Sequence, residues 1–436
     1  MHMRHRLGKQ LETNHDTVSL LTSEVSEERL KNGMRIFVKQ VYPASVVNLA
    51  VWVRVGSIYE DNRIAGISHF IEHMLFKGTE KRAVGEIARE IHACGGYMNA
   101  FTDFECTCYW IVLPSKFLDV ALEVQADALL HSTFDETELQ KECQVIIEEL
   151  KMYEDQPESF AFQKLLALAF QKHPYGRPII GFEDSLRRMT RQDLIDYYRK
   201  HYFASNIFVT VVGDVNPTRV QRKIKNTFQE MEIRPSQEVF FESEPDQLEF
   251  RVQELKGDIA RSYLQLGFHV PSALHEDYYP LRVLSILLGE GRSSRLNLSL
   301  REKKQLVDSV ETGIFVERHP GLFYFSFMLD EKNLEKAEQA VWNELKRLQQ
   351  ELVSPEELLK AKNMAESGYF FSQETVEGQG RILGYNEMLG DYKRGEKYVE
   401  NIFKVTAEDI QRVAQTYFSR NNCSEIRYYP GGHKTS

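Results

Sequence analysis

An internal repeat is the feature that most narrows what this chain can fold into. Thr190-Arg-Gln-Asp193-Leu leads to Tyr202-Phe203-Ala-Ser-Asn206, and Thr406-Ala-Glu-Asp409-Ile leads to Tyr417-Phe418-Ser-Arg-Asn421, with one residue of difference in length. Asp135-Glu-Thr-Glu138-Leu139 and Ser354-Pro-Glu-Glu357-Leu358 both read as helix starts, an N-cap followed three residues on by Glu. The offset from Leu139 to Leu358 nearly equals that from Glu60-Asp61 to Glu276-Asp277. A chain of 436 residues is too long for one core, so the repeat divides it into two related halves rather than three domains. Two prolines and five glutamates fall within residues 230–246, which reads as a linker. The expected organisation is an N-terminal domain over residues 1–230, a linker at 231–246 and a homologous C-terminal domain over 247–436.

Each half mixes two kinds of pattern. Residues 46–55 and 106–113 are rich in β-branched and aromatic side chains, as strands are. Residues 66–77, 84–94, 116–131, 136–154 and 158–171 carry helical periodicity. Strands clustered among helices without regular alternation predict an α+β fold, an antiparallel-rich sheet packed against helices in each half.

Charge and composition exclude several classes. A formal net charge of -10 argues against a nucleic-acid binder. No stretch approaches the roughly 18–20 apolar residues that span a bilayer, and the basic start Met1-His2-Met3-Arg4-His5-Arg6 has no apolar run after it, unlike a secretory signal. Cys94, Cys106, Cys108, Cys143 and Cys423 are too few and irregular for a disulfide framework. Cys106 and Cys108 share one face of a strand, which suits core packing better than zinc. Reduced thiols fit a cytoplasmic protein.

The chemistry is concentrated in Gly66-Ile-Ser-His69-Phe-Ile-Glu72-His73-Met-Leu-Phe76. At 100° per residue from Ile67, Phe70, Ile71, Met74 and Leu75 fall at about 300°, 40°, 340° and 80°, one apolar face. His69, Glu72 and His73 fall opposite, at about 200°, 140° and 240°. Histidines at i and i+4 reach one ion from adjacent turns. Phe76, near about 180°, is the one apolar side chain on the polar face and could line a cleft. Zinc needs a third protein ligand and an open position. The helix carrying Glu142, Glu148 and Glu149 has its apolar stripe at Leu139, Cys143, Ile146, Leu150 and Tyr153. Glu149 and Glu142 share one flank, while Glu148 faces away, so Glu149 is the better ligand. Glu142 lies two turns off, about 10 Å along the axis, and suits a supporting contact to a ligand.

On these residues the chain resembles the pitrilysin/insulinase family of inverted zinc metallopeptidases, in its mitochondrial processing peptidase-like branch. His-x-x-Glu-His is the inverzincin signature. The spacing from His73 to Glu149 matches that of the family's remote ligand, and Glu142 matches a second glutamate found there. Gly95-Gly-Tyr-Met-Asn99-Ala-Phe-Thr102, His173-Pro-Tyr-Gly-Arg-Pro-Ile-Ile-Gly181, and Gly291-Arg-Ser-Ser-Arg-Leu296 with Leu300-Arg301-Glu302-Lys303 extend the likeness. The resemblance implies two related α+β domains, a zinc-dependent endopeptidase acting on peptides or extended polypeptide segments, and a homodimer or heterodimer of such chains enclosing a cleft. It also implies that Asn99, Ala100 and Phe101 lie on an edge strand that pairs with substrate.

One departure stands out. The family's second domain supplies an Arg and, seven residues later, a Tyr, aimed at the substrate carbonyl; here Arg301 is followed by Asp308. A carboxylate opposes a developing oxyanion. The alternative is therefore a non-catalytic or partner-dependent subunit of a two-chain processing peptidase or structural complex. At the repeat offsets, His69, Glu72, His73 and Glu149 correspond to Ser285, Leu288, Gly289 and Gly368. One zinc per chain, in the first half, is expected. Glu72 is the expected base: zinc activates water, and Glu72 takes its proton and passes it to the leaving amine.

Overall fold

The computed structural model describes residues 24–229, 231–234, 239 and 241–431. The basic start and part of the predicted linker, residues 235–238 and 240, lie outside them.

Two sheets organise the chain, and both follow the sequence repeat. The first has six strands in the order β1-β2-β6-β3-β5-β4: Val25–Arg29 (β1), Arg35–Gln40 (β2), Val46–Val53 (β3), Tyr97–Thr102 (β4), Thr107–Pro114 (β5) and Ile207–Gly213 (β6). Only β2 and β6 pair in parallel. The second has five strands in the order β7-β11-β8-β10-β9: Arg251–Gly257 (β7), Ser262–Val270 (β8), Ser309–Phe315 (β9), Gly321–Leu329 (β10) and Cys423–Pro430 (β11). Here β7 and β11 are the parallel pair. The displacements from β3 to β8 and from β6 to β11 both equal that from Glu60-Asp61 to Glu276-Asp277. The fold is α+β, with two related domains.

Each sheet buries one face under helices of its own half. In the first, Leu49, Val51 and Val53 of β3 and Val209 and Val211 of β6 meet Phe70, Ile71 and Met74, and Ile146 and Ile147. In the second, Leu264, Leu266 and Phe268 of β8 and Phe323, Phe325 and Phe327 of β10 meet Leu284, Leu288, Val341 and Leu345. The alternation of strand residues assigns them to this layer.

The opposite faces are covered by exchange. The helix Pro157–Ala169 of the first half lies on the second sheet, burying Ala161, Leu165 and Ala169 against Leu322, Ile426 and Tyr428. The helix Val376–Met388 of the second half lies on the first sheet, burying Val376, Leu383 and Met388 against Trp52, Phe208 and Val212. The two helices are equal in length, and their starts stand at the same offset as Leu139 and Leu358. Gly384 permits the close approach, because a Cβ there would sit 2.1 Å from the Trp52 ring. Glu387, wholly buried at the end of this helix, takes ion pairs from both Arg35 and Arg54. A carboxylate left in that place without them would be strongly destabilising, so the ion pairs fix where the helix docks.

All five cysteines are free, and Cys106 and Cys108 pack in the layer beneath the exchanged helix. No helix among the described residues is long and apolar enough to cross a membrane.

Candidate metal centre

The centre begins with a helix, Ile67–Met74, that is short and tightly seated. Gly66 precedes it at φ +94°, a left-handed conformation open to glycine. A Cβ on Gly66 would lie 2.4 Å from the Ile180 carbonyl oxygen, and one on Gly181, at φ +82°, 2.1 Å from that of Ala65. The segment ending at Gly181 is thus packed onto the start of the metal helix. Glu60, buried, accepts the Gly66 amide at 2.7 Å and the Ser68 amide at 2.8 Å, satisfying two donors at the helix start. Burial pushes its carboxyl up to about 7 despite those bonds.

As the helical wheel requires, Ile67, Phe70, Ile71 and Met74 are buried in the core, leaving His69, Glu72 and His73 to line a cavity of about 640 Å³. Phe76 behaves differently from the cleft-lining residue the wheel suggested. The helix ends at Met74, so the wheel no longer applies, and the ring packs edge-on to Tyr109 at 5.9 Å, outside the cavity lining.

Glu149 comes from the helix Glu136–Glu154, whose N-cap Asp135 accepts the Thr137 and Glu138 amides. Its Oε2 lies 3.5 Å from His73 Nε2 and 3.8 Å from His69 Nε2. Ligand atoms of the three residues fall within 4.8 Å of one another, the one such group of three or more among the described residues. Zinc bonded tetrahedrally at about 2.0–2.1 Å separates adjacent donor atoms by about 3.3 Å. The two spacings to Glu149 need only a slight contraction, and two imidazoles with one carboxylate are a zinc donor set. These residues fit the ion. Glu148 points outward and pairs with Lys151.

Behind the ligands is a supporting contact. Glu142 Oε2 lies 3.1 Å from His73 Nδ1 and its Oε1 lies 2.6 Å from Lys77 Nζ. A proton kept on Nδ1 is what frees the Nε2 lone pair for an ion. His69 Nδ1, also buried, has no hydrogen-bond partner among the described residues. Burial opposes charge on His73, yet its bonds to Glu142 and Glu149 overcome this and hold it up at about 9. Burial, reinforced by the neighbouring His73, pushes His69 down to about 4.

Glu72 stands beside the ligands with Thr102 Oγ1 donating to its Oε2 at 2.6 Å. Burial lifts its carboxyl to about 7, against the pull of Thr102 and His73. Thr102 ends β4, the edge strand of the first sheet, and Asn99, Ala100 and Phe101 line the same cavity. Phe104, Phe162, Leu166, Ile179 and Ile180 add apolar lining.

The structure therefore brings together His69, Glu72, His73, Glu142, Glu149 and the β4 residues. It does not bring Arg301 there. Arg301 is exposed on a π-helical turn, Asn297–Lys303, of the second half, outside the cavity lining. Asp308 is engaged by Arg261, which also pairs with Asp330. Of the second-half counterparts, Ser285 hydrogen-bonds the Thr312 carbonyl, Leu288 and Gly289 are buried, and Gly368 is exposed. Sequence reasoning assigned no role to Glu60, Lys77 or Thr102. Thr102 has no local signal, since only strand pairing carries it to Glu72.

A half-buried pair of helical histidines, a remote glutamate and a nearby carboxylate beside a sheet edge make up a candidate metal centre. Comparison with known proteins agrees. Residues 35–183 match the family described as insulinase (peptidase family M16), and residues 188–365 match the peptidase M16 inactive domain. An uncharacterized zinc protease of Bacillus subtilis, YmxG, is 30% identical over 394 residues, covering 90% of this chain and 95% of that protein. A probable mitochondrial-processing peptidase subunit beta of Arabidopsis thaliana is 27% identical over 411 residues, 91% of this chain and 77% of that one. The crystal structure of a protease from Helicobacter pylori superposes with a TM-score of 0.89 at 27% identity, covering 94% of this chain and all of that one. The chain belongs to peptidase family M16.

Proposed function

We propose that this chain is a zinc-dependent endopeptidase that hydrolyses peptides or extended polypeptide segments within the cavity. The observation that carries the reading is the convergence of His69, His73 and Glu149 on one point beside Glu72 and an open sheet edge. One zinc ion is held by those three ligands, with Glu142 orienting His73. When bound, zinc supplies Lewis acidity that polarises the scissile carbonyl and makes water nucleophilic near neutral pH.

The chain's own residues do the rest. The backbone of β4 at Asn99, Ala100 and Phe101 aligns an extended peptide as an added strand. Thr102 holds one oxygen of Glu72, leaving the other to accept the proton of the attacking water and deliver it to the leaving amine nitrogen. Residues 1–230 form the peptidase domain, 231–246 the linker and 247–436 its metal-free counterpart.

The Glu72→Gln variant tests the base. Turnover of a fluorogenic peptide is lost while zinc content, measured on the same sample, is retained; full activity in this variant would defeat the assignment. In the wild type, chelation abolishes cleavage and added zinc restores it.

A second reading, a partner-dependent subunit in a homodimer or heterodimer, is favoured by the place of Arg301, outside its own chain's cavity, and by the pairing of Asp308 with Arg261. On this reading Arg301 serves another chain's cleft, and a homologous chain supplies the missing phenol. Activity that appears only when such a chain is added distinguishes it.

A further inference from the structure

The edge strand β4 has two faces, and they meet different halves of the molecule. On one, Met98 and Ala100 pack against the core of the first half, and Thr102 reaches Glu72. On the other, Tyr97 and Phe101 meet the helix Val376–Met388 that the metal-free half lays on this sheet. The Tyr97 hydroxyl donates to Glu377 Oε2 at 2.7 Å. The Phe101 ring stacks on Tyr385, centroids 5.9 Å apart at 15°. The Tyr385 hydroxyl reaches Asp103 Oδ2, just beyond the strand, at 3.4 Å. Three contacts from two residues of one foreign helix thus span the strand from its first residue to the turn that ends it.

An edge strand has hydrogen-bonding neighbours on one side only, and among the described residues β4 has β5 alone. A peptide that adds to its free side must find it extended and still; ordering it at that moment would be subtracted from affinity. We propose that Glu377 and Tyr385 are positioning residues of the peptidase: through Tyr97, Phe101 and Asp103 the metal-free half holds β4 in the conformation that receives substrate. This rests on the peptidase reading above. It gives the second half, which lacks ligands of its own, a part in substrate binding rather than in metal binding.

The test compares Tyr385→Ala, Tyr385→Phe and Glu377→Ala in the full chain, by peptide kinetics, zinc content and amide hydrogen exchange of residues 97–102. Tyr385→Ala raises KM about tenfold and Glu377→Ala about threefold, the scale of one lost packing or hydrogen-bond contact. In both, kcat changes less than KM, zinc content holds, and β4 exchanges faster while β3 does not. Tyr385→Phe keeps the stack and restores most of the wild-type KM. Glu377 lies partly exposed in the first turn of its helix, so its variant keeps the fold should Tyr385→Ala fail to. Unchanged β4 exchange overturns the proposal, as does a change in kcat or zinc content without one in KM. A wild type that cleaves no peptide defeats the peptidase reading instead, and the exchange data then decide whether the clamp exists.

Discussion

Glu142 offers the most direct measure of how the centre is built. It touches no position a metal would occupy, yet its Oε2 sits 3.1 Å from His73 Nδ1 and it is almost fully buried. Glu142→Ala removes the acceptor that keeps a proton on Nδ1, so the imidazole loses both its preferred tautomer and its fixed orientation. Supporting contacts of this kind are worth about 10–100-fold in metal affinity, or about 1.4–2.7 kcal/mol. Lys77 loses its partner as well, but its side chain is 30% exposed and reaches water, so it adds little. Glu142→Gln is the informative control, since its amide oxygen still accepts the Nδ1 proton. Competition with a chromogenic chelator at fixed pH should place Ala near the upper end of that range and Gln near the lower. Equal zinc affinity in Glu142→Ala and the wild type would refute the reasoning, because the hydrogen bond would then do nothing for the ligand.

Other consequences are as specific. Thr102→Val removes the donor to Glu72 Oε2 and should lower kcat about three- to tenfold with zinc content unchanged. Gly181→Ala places a Cβ 2.1 Å from the Ala65 carbonyl at a left-handed φ, and thermal unfolding should show a loss of about 2–4 kcal/mol. The Arg295 hydrogen bond holds the Glu357 carboxyl down at about 2, below its ordinary 4.5. A depressed carboxylate contributes stability above its unfolded pKa and loses it as pH falls toward the folded one. Between pH 4.5 and 2 the wild type should therefore lose stability that Glu357→Gln lacks throughout, seen as melting curves that converge in acid.

Much of the centre was legible because its geometry is local. The i, i+4 spacing of His69 and His73 fixes their common face before any tertiary contact forms, and the periodicity of the helix carrying Glu149 separates it from Glu148. The repeat foretold two related sheets, since a fixed offset between like segments implies like topology. Helical reasoning failed at Phe76, where the helix had already ended.

What the sequence by itself determined is which residues share a face and how the halves correspond. What only the tertiary structure decided is who meets whom across those faces. The convergence of Glu149 with the histidines, the reach of Thr102 to Glu72, the seating of Gly66 against Gly181 and the exchange of helices between halves join residues tens to hundreds of positions apart. Periodicity sets the direction of a side chain relative to its own element. The partner it finds there depends on how the elements pack, and a one-dimensional pattern carries no distance between them.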